Sequence, residues 1–171
     1  MKPFRTIVII ALTVAAMLGV RRWVGEPFYV ASDSMAPTLT KGDHLFLDKV
    51  TYRFRAPRRG EILAFRSPVG EAHESVKRVI AVGGDTVELR AKQVYLNGQP
   101  QAEPYAQHTR AGELLAGDDL GPLAVPENTV FLLGDNRDNS NDSATWKDPA
   151  SGGPLYFLPL SEVTGKVRGI Y

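Results

Sequence analysis

Ser75-Val76-Lys77-Arg78-Val79-Ile80-Ala81-Val82 is the stretch on which the fold turns. Four of its eight residues are β-branched, a composition that suits a pleated, half-buried strand. Side chains alternate across a strand, so Lys77 and Arg78 point to opposite faces. One of them can then enter an apolar site while the other stays wet. Comparable short runs lie on both sides: Leu45-Phe46-Leu47, Ile62-Leu63-Ala64-Phe65, Val87-Glu88-Leu89, Val94-Tyr95-Leu96 and Val130-Phe131-Leu132-Leu133. Gly, Pro and Asp residues punctuate them, and Asn97-Gly98 marks a tight hairpin turn. No amphipathic helix longer than two turns stands out beyond residue 24, so the expected fold is mainly β, built of antiparallel sheets. Residues 101–126 are polar and carry Gly and Pro, which predicts a loop or, over about 86–126, a small peripheral subdomain. A second irregular stretch is expected over 144–154. Internal repeats and low-complexity tracts are absent.

The N-terminus differs from the rest. Lys2 and Arg5 precede an uncharged run from Thr6 to Val20, closed by Arg21 and Arg22. Fifteen helical residues span roughly 22 Å, short of the ~30 Å hydrocarbon core. Trp23 and Val24 can lengthen the span, because arginine stems snorkel and Trp favours the interface. A run of this length also suits the apolar region of a cleaved leader. The two arginines directly after it, and the lack of a small-x-small site before them, favour an uncleaved anchor over residues 1–24. Residues 25–171 then form a β domain, the part of the chain left to carry any chemistry. Two basic residues on each flank leave the orientation open.

At 171 residues and a net charge of +1, the chain is one globular domain plus this appendage, with no reason to expect a nucleic-acid partner. Arg53, Arg55, Arg58 and Arg59 cluster; a solvated loop is the commoner use of such a group, and a patch for anionic lipid headgroups is the alternative. No cysteine is present, which excludes disulfides, thiolate nucleophiles and cysteine-based zinc sites.

Three segments can carry chemistry. The first is Ser32-Asp33-Ser34-Met35-Ala36-Pro37-Thr38-Leu39, a proline-set turn able to hold one hydroxyl as nucleophile while a second hydroxyl and a backbone N–H face the same reacting oxygen. The second is Lys77. Free lysine titrates near ~10.4, leaving about 0.1% neutral near pH 7.5. Burial can lower that value by up to ~3–5 units, and two or three suffice for a neutral amine that accepts a serine proton. His44, His73 and His108 read as isolated surface histidines, so a Ser-His-Asp arrangement is poorly supported. The third segment is Gly134-Asp135-Asn136-Arg137-Asp138-Asn139-Ser140-Asn141-Asp142-Ser143. Counted from Asp138 as a calcium loop, it has Ser143 where glycine is required and Pro149 where a bidentate glutamate belongs, so an EF-hand is rejected. A hydrogen-bonded turn after a buried strand fits better, with Ser140 the candidate to bond the Lys77 amine and aim its lone pair.

Assembled in order, these residues resemble the type I signal peptidases, the Ser/Lys-dyad enzymes that remove signal peptides from exported proteins. The resemblance runs nearly end to end: Glu26-Pro27-Phe28, Ser32 to Leu39, Lys41-Gly42-Asp43, Arg59-Gly60-Glu61-Ile62, Lys77-Arg78-Val79, Gly83-Gly84-Asp85, Asn97-Gly98, Glu103-Pro104-Tyr105 and Gly134 to Ser143. It implies Ser34 as nucleophile and Lys77 as general base. Ser140 would orient the lysine, with Asp142 and Arg78 in support. The Ser34 N–H and the Ser32 hydroxyl would form an oxyanion hole, each donor worth ~3–4 kcal/mol at the transition state. Val30, Met35, Leu39, Leu45 and Val76 would line shallow pockets that accept small residues in an Ala-x-Ala pattern.

The resemblance further implies a mostly β fold carrying an apolar membrane-facing surface. It requires neither metal nor cofactor and places the catalytic side outside the cytoplasm, at the inner or plasma membrane. Partners would be exported preproteins and the bilayer, with the secretion channel a further candidate. Three positions depart from the pattern: Asp33 stands where glycine is usual, Ala31 where proline is common, and Ala144 where an arginine usually follows, with about ten extra residues after it. The rival readings are another Ser/Lys protease of the same fold, either pathway-dedicated or a self-cleaving repressor of the LexA type, and a membrane-anchored domain that binds exported peptides without cutting them. A LexA-type protein needs an N-terminal DNA-binding module, whereas this N-terminus is apolar.

Overall fold

The computed structural model describes residues 3–70 and 74–171; Lys2 and His73 lie outside the described residues. Helix α1 (Pro3–Trp23) has 21 residues and buries none of them. At 1.5 Å per residue it spans about 31 Å, matching a bilayer core. Among the described residues it is the one helix long and apolar enough to cross a membrane. It is longer than the uncharged run because arginine is a good helix former, so the helix continues through Arg21 and Arg22. Its last turn closes through the Val24 N–H to the Val20 carbonyl, at 2.8 Å.

Strand β1 (Gly25–Tyr29) follows directly. It begins a seven-stranded sheet with β2 (His44–Asp48), β3 (Ile62–Arg66), β4 (Glu74–Val82), β9 (Thr129–Leu133), β10 (Leu158–Pro159) and β11 (Val163–Ile170). Its spatial order is β1-β2-β11-β3-β4-β9-β10, antiparallel throughout. A second sheet, in the order β7-β6-β5-β8, contains β5 (Thr86–Arg90), β6 (Gln93–Leu96), β7 (Gln99–Pro100) and β8 (Leu120–Ala124). Each apolar run singled out in the sequence lies in a strand. Strand β8 falls where sequence predicts loop or peripheral subdomain; it is an edge strand, where Pro122 and Gly121 are tolerated. The 144–154 stretch is irregular as expected, yet it sends Trp146 into the core against Phe65, ring centroids 5.6 Å apart.

Strand β4 is the spine of the molecule. Val76 packs with Val30, Met35 and Leu45; Val79 packs with Leu63, Phe65 and Trp146; Ile80 and Ala81 pack under the second sheet with Val87 and Phe131. Both faces of β4 are therefore covered from Lys77 to Ala81. This corrects one expectation: Arg78 does not stay wet but is buried like Lys77.

Glu61 ties three elements together just before β3. It accepts bonds from Arg55 (2.5 Å), Lys166 on β11 (2.5 Å), the Arg58 N–H (3.0 Å) and Tyr52 Oη (3.2 Å) in the short helix α2 (Thr51–Phe54). Burial alone would raise its carboxyl, but the cations and the N–H outweigh it and lower the pKa to about 2. A depressed carboxyl contributes stability above its unfolded value, and that contribution is lost as pH falls through the folded one. The denaturant midpoint of the wild type is thus expected to fall between pH 4.5 and about 2 more steeply than that of Glu61→Gln.

Candidate active site

The turn between β1 and β2 carries the two serines. The Val30 N–H donates to the Asp43 carbonyl (2.9 Å) and the Gly42 N–H to the Val30 carbonyl (2.9 Å), and the two bonds close its neck. Met35 and Leu39, one helical turn apart and joined by a 2.9 Å backbone bond, sink into the core and anchor it. Asp33 adopts no left-handed backbone, so the glycine usual at this position is not required. Its side chain turns outward, where Oδ1 accepts the Lys41 N–H at 3.0 Å and braces the loop.

Lys77 reaches this turn from β4. Its register partner is Leu63 on β3, and it is 4% exposed. Lys77 Nζ lies 2.7 Å from Ser34 Oγ and 3.3 Å from the Val76 carbonyl. Ser34 is buried, whereas Ser32 is exposed with its Oγ 3.3 Å from Ser34 Oγ. The two residues expected to form the dyad, and the hydroxyl expected beside them, are thus brought together from chain positions 43 residues apart.

On the other face Arg78 forms a fork with Asp135, Nε–Oδ1 2.8 Å and Nη2–Oδ2 2.5 Å, and also donates to the Gly60 carbonyl at 2.8 Å. Thr38, in the nucleophile turn, donates to the same Asp135 carboxylate at 2.5 Å. Tyr105 covers the guanidinium, its ring centroid 3.9 Å from Cζ. A second fork, Arg137 to Glu103 at 2.7 and 2.8 Å, holds the segment bearing Tyr105 in place. Sequence reading missed Asp135, Thr38 and Glu103 as site residues. The available signal was the Lys77-Arg78 pair itself, since two cations on opposite faces of one buried strand each need a compensating group.

The Asp/Asn-rich segment after β9 closes the site from the far side. Asn136 donates its N–H to the Ser34 carbonyl (3.1 Å) and its amide to the Asp33 carbonyl (3.1 Å). Asp142 accepts from the Gly134 N–H at 2.9 Å and the Ala144 N–H at 3.2 Å, while burial pushes its carboxyl up. It therefore supports the loop backbone; the carboxylate that holds Arg78 is Asp135. Ser140 corrects a further expectation. Its Oγ is buried beside Asp142 without a hydrogen bond of ordinary geometry, and does not bond Lys77 in this structure. Ser140 and the Ser34 carbonyl instead crowd Gly134, where any Cβ would overlap both. Gly134→Ala is expected to cost about 1–3 kcal/mol through overpacking and to lower kcat by displacing the Ser34 backbone; melting and turnover measurements check both.

Val30, Met35, Leu39, Leu45 and Val76 form one apolar cluster beneath the dyad. Val30 and Val76 also line an open cleft of about 180 Å³ with Phe28, Ala31, Ser32, Ser34 and Lys77. The two described histidines, His44 and His108, lie apart from this chemistry. His44 is exposed between the rings of Tyr29 and Tyr171. His108 is not the surface residue expected; it is partly buried, with Nδ1 3.6 Å from Asp138. Ala144 packs against Gly117 in place of the expected arginine.

A β frame that buries a lysine amine against a serine hydroxyl, beneath a helix of membrane length, belongs among the membrane-associated serine hydrolases. Comparison with known proteins narrows the class. The family described as "Signal peptidase, peptidase S26" matches residues 4–171. The probable signal peptidase I-1 of Synechocystis sp. is 39% identical over 93% of this chain and 76% of its own length. A signal peptidase I of Bacillus amyloliquefaciens is 33% identical over 91% of this chain and 87% of its own. A crystal structure of a signal peptidase I from Enterococcus faecalis V583 is 30% identical, with TM-score 0.48, covering 67% of this chain and 98% of that one. The chain belongs to the signal peptidase family, peptidase S26.

Proposed function

We propose that this chain is a membrane-bound serine endopeptidase that cleaves N-terminal signal peptides from exported preproteins, with Ser34 as nucleophile and Lys77 as general base. The observation that carries the reading is the 2.7 Å approach of Lys77 Nζ to Ser34 Oγ inside the apolar core. The chemistry requires a neutral amine, and burial is the condition that favours one. In that state the Ser34 hydroxyl donates to the amine lone pair. Ser34 Oγ attacks the scissile carbonyl as its proton passes to Nζ. The developing oxyanion takes hydrogen bonds from the Ser34 N–H and the Ser32 hydroxyl. The lysine ammonium then protonates the departing amine, releasing the mature protein and leaving the signal peptide acylated on Ser34. Lys77 next takes a proton from a water molecule whose oxygen attacks the ester. As the bond from the carbonyl carbon to Ser34 Oγ breaks, the lysine ammonium returns that proton to Ser34 and the signal peptide leaves with a free carboxyl end.

Residues 1–24 serve as the anchor and 25–171 as the catalytic domain, facing the extracytoplasmic side. Val30, Met35, Leu39, Leu45 and Val76 shape the subsites that admit small side chains. One experiment tests the whole reading: a preprotein with an Ala-x-Ala site is added to right-side-out and to inverted membrane vesicles holding the enzyme. Cleavage directly after the second alanine, in right-side-out vesicles alone, is expected. An intact preprotein in both would refute the activity, and cleavage confined to inverted vesicles would refute the sidedness.

A further inference from the structure

A large cleft lies away from the dyad. It holds about 570 Å³ between the foot of α1, helix α2 and the start of β11, and its cationic lining is Arg22, Lys49, Arg53, Arg55 and Arg66. No carboxylate is among the described residues that line it. Two of these charges are already answered, Lys49 by Glu26 at 2.7 Å and Arg55 by Glu61 at 2.5 Å. Arg66 has only a long 4.0 Å approach to Glu162, and Arg22 and Arg53 have no carboxylate partner among the described residues. Both of the latter guanidinium groups lie instead on the Trp23 ring, at 5.4 and 5.2 Å from its centroid. Among the described residues the cleft thus carries surplus positive charge, with Arg22 and Arg53 without a carboxylate and Arg66 only loosely paired.

Its height relative to a membrane follows from α1. The helix spans about one hydrocarbon thickness, so Arg22 and Trp23 at its end sit at headgroup depth, where tryptophan and arginine partition. Arg53 stacks on Trp23 and is therefore held at the same level. The neighbouring Phe54 is 83% exposed, an aromatic that the adjoining bilayer would cover. Guanidinium groups bind phosphate oxygens through paired N–H donors.

We propose that this cleft binds the phosphate of an anionic phospholipid headgroup, seating the catalytic domain on the membrane beside its own anchor. The inference rests on α1 spanning the bilayer, and beyond that it is independent of the dyad. Arg22, Arg53 and Arg66 supply the charge for the phosphate, and Leu160 and Val163, which also line the cleft, offer apolar surface to the glycerol.

The test uses the full chain in nanodiscs of phosphatidylcholine with and without phosphatidylglycerol, read by lipid retention in native mass spectrometry and by melting. Retention of phosphatidylglycerol over phosphatidylcholine is expected, with a higher melting temperature in the anionic discs. Each basic residue at an anionic surface is worth about 1 kcal/mol, roughly five-fold. R53Q/R66Q is therefore expected to weaken retention about 30-fold, while R53K/R66K loses less. R90Q, on the far sheet, should retain lipid like wild type, and R53Q/R66Q should cleave a soluble peptide substrate normally, showing that it folds. Equal retention by wild type and R53Q/R66Q would overturn the proposal. So would full melting protection by inorganic phosphate in pure phosphatidylcholine discs, which would make the cleft a site for the free anion. Extraction of the protein from membranes by alkaline carbonate would remove the spanning helix and the proposal with it, leaving the peptidase reading intact.

Discussion

Ser34→Ala and Lys77→Ala are each expected to lower kcat by on the order of 10⁶-fold, with the double variant no worse than either, because residues acting as one unit lose their effect together. Geometry makes the expectation specific. Ser34 Oγ and Lys77 Nζ are 2.7 Å apart and both residues are buried, and neither His44 nor His108 among the described residues lies within reach to substitute for the amine. Lys77→Arg sharpens the test. It keeps a long basic side chain and much of the volume, but a guanidinium is always protonated and cannot accept the serine proton. It should therefore be as inactive as Lys77→Ala, and Lys77→Met should match both while retaining the fold. The wild-type rate should fall on the acid side through one ionisation that Lys77→Met lacks in its residual activity. Substantial turnover by Lys77→Met, or an unchanged acid limb, would eliminate the amine as base. Turnover by Ser34→Ala near the wild-type rate would eliminate the nucleophile.

Asp135→Ala is expected to destabilise the domain by about 3–5 kcal/mol, the cost of leaving a buried partner charge uncompensated. Asp135 is fully buried and meets both Arg78 nitrogens and Thr38, so no rearrangement of the side chain alone can rescue the guanidinium. A loss of that size corresponds to a drop in melting temperature of roughly 10 °C for a domain of this length. Arg78→Lys should fail to restore stability, since an ammonium cannot reproduce a two-pronged contact. Replacing both partners, as in Asp135→Leu with Arg78→Met, should recover much of the stability because no unpaired charge remains. Activity should not recover with it, because Thr38 would lose the carboxylate that fixes the nucleophile turn against β4. A double variant as active as wild type would show that the fork serves stability alone.

Much of this was legible from local pattern. The apolar runs from Leu45 to Leu133 became strands because a period of two and β-branched content are properties of a few adjacent residues. The helix at the N-terminus followed from fifteen uncharged residues in a row. Lys77 and Ser34 were readable as a pair through the resemblance of the ordered motifs. Harder to read were the partners. Three aspartates stand in the segment from Gly134 to Ser143, and nothing in their spacing says that Asp135 meets Arg78 while Asp138 meets Lys92. Ser140 shows the same limit: its position in the segment was suggestive, yet its hydroxyl is turned toward Gly134 and Asp142 instead of Lys77.

By itself, then, the sequence determined the β character, the membrane-length helix and the residue types available for acid–base chemistry. These depend on neighbours a few positions away. The tertiary structure alone decided that both faces of β4 are covered, that Arg78 is as buried as Lys77, and that Asp135 compensates it. It alone decided that five cations surround one cleft at the foot of α1. Such outcomes depend on which strands become neighbours, as β4 does between β3 and β9. Burial of a charge is settled by what closes over it from distant parts of the chain, and no local period records that.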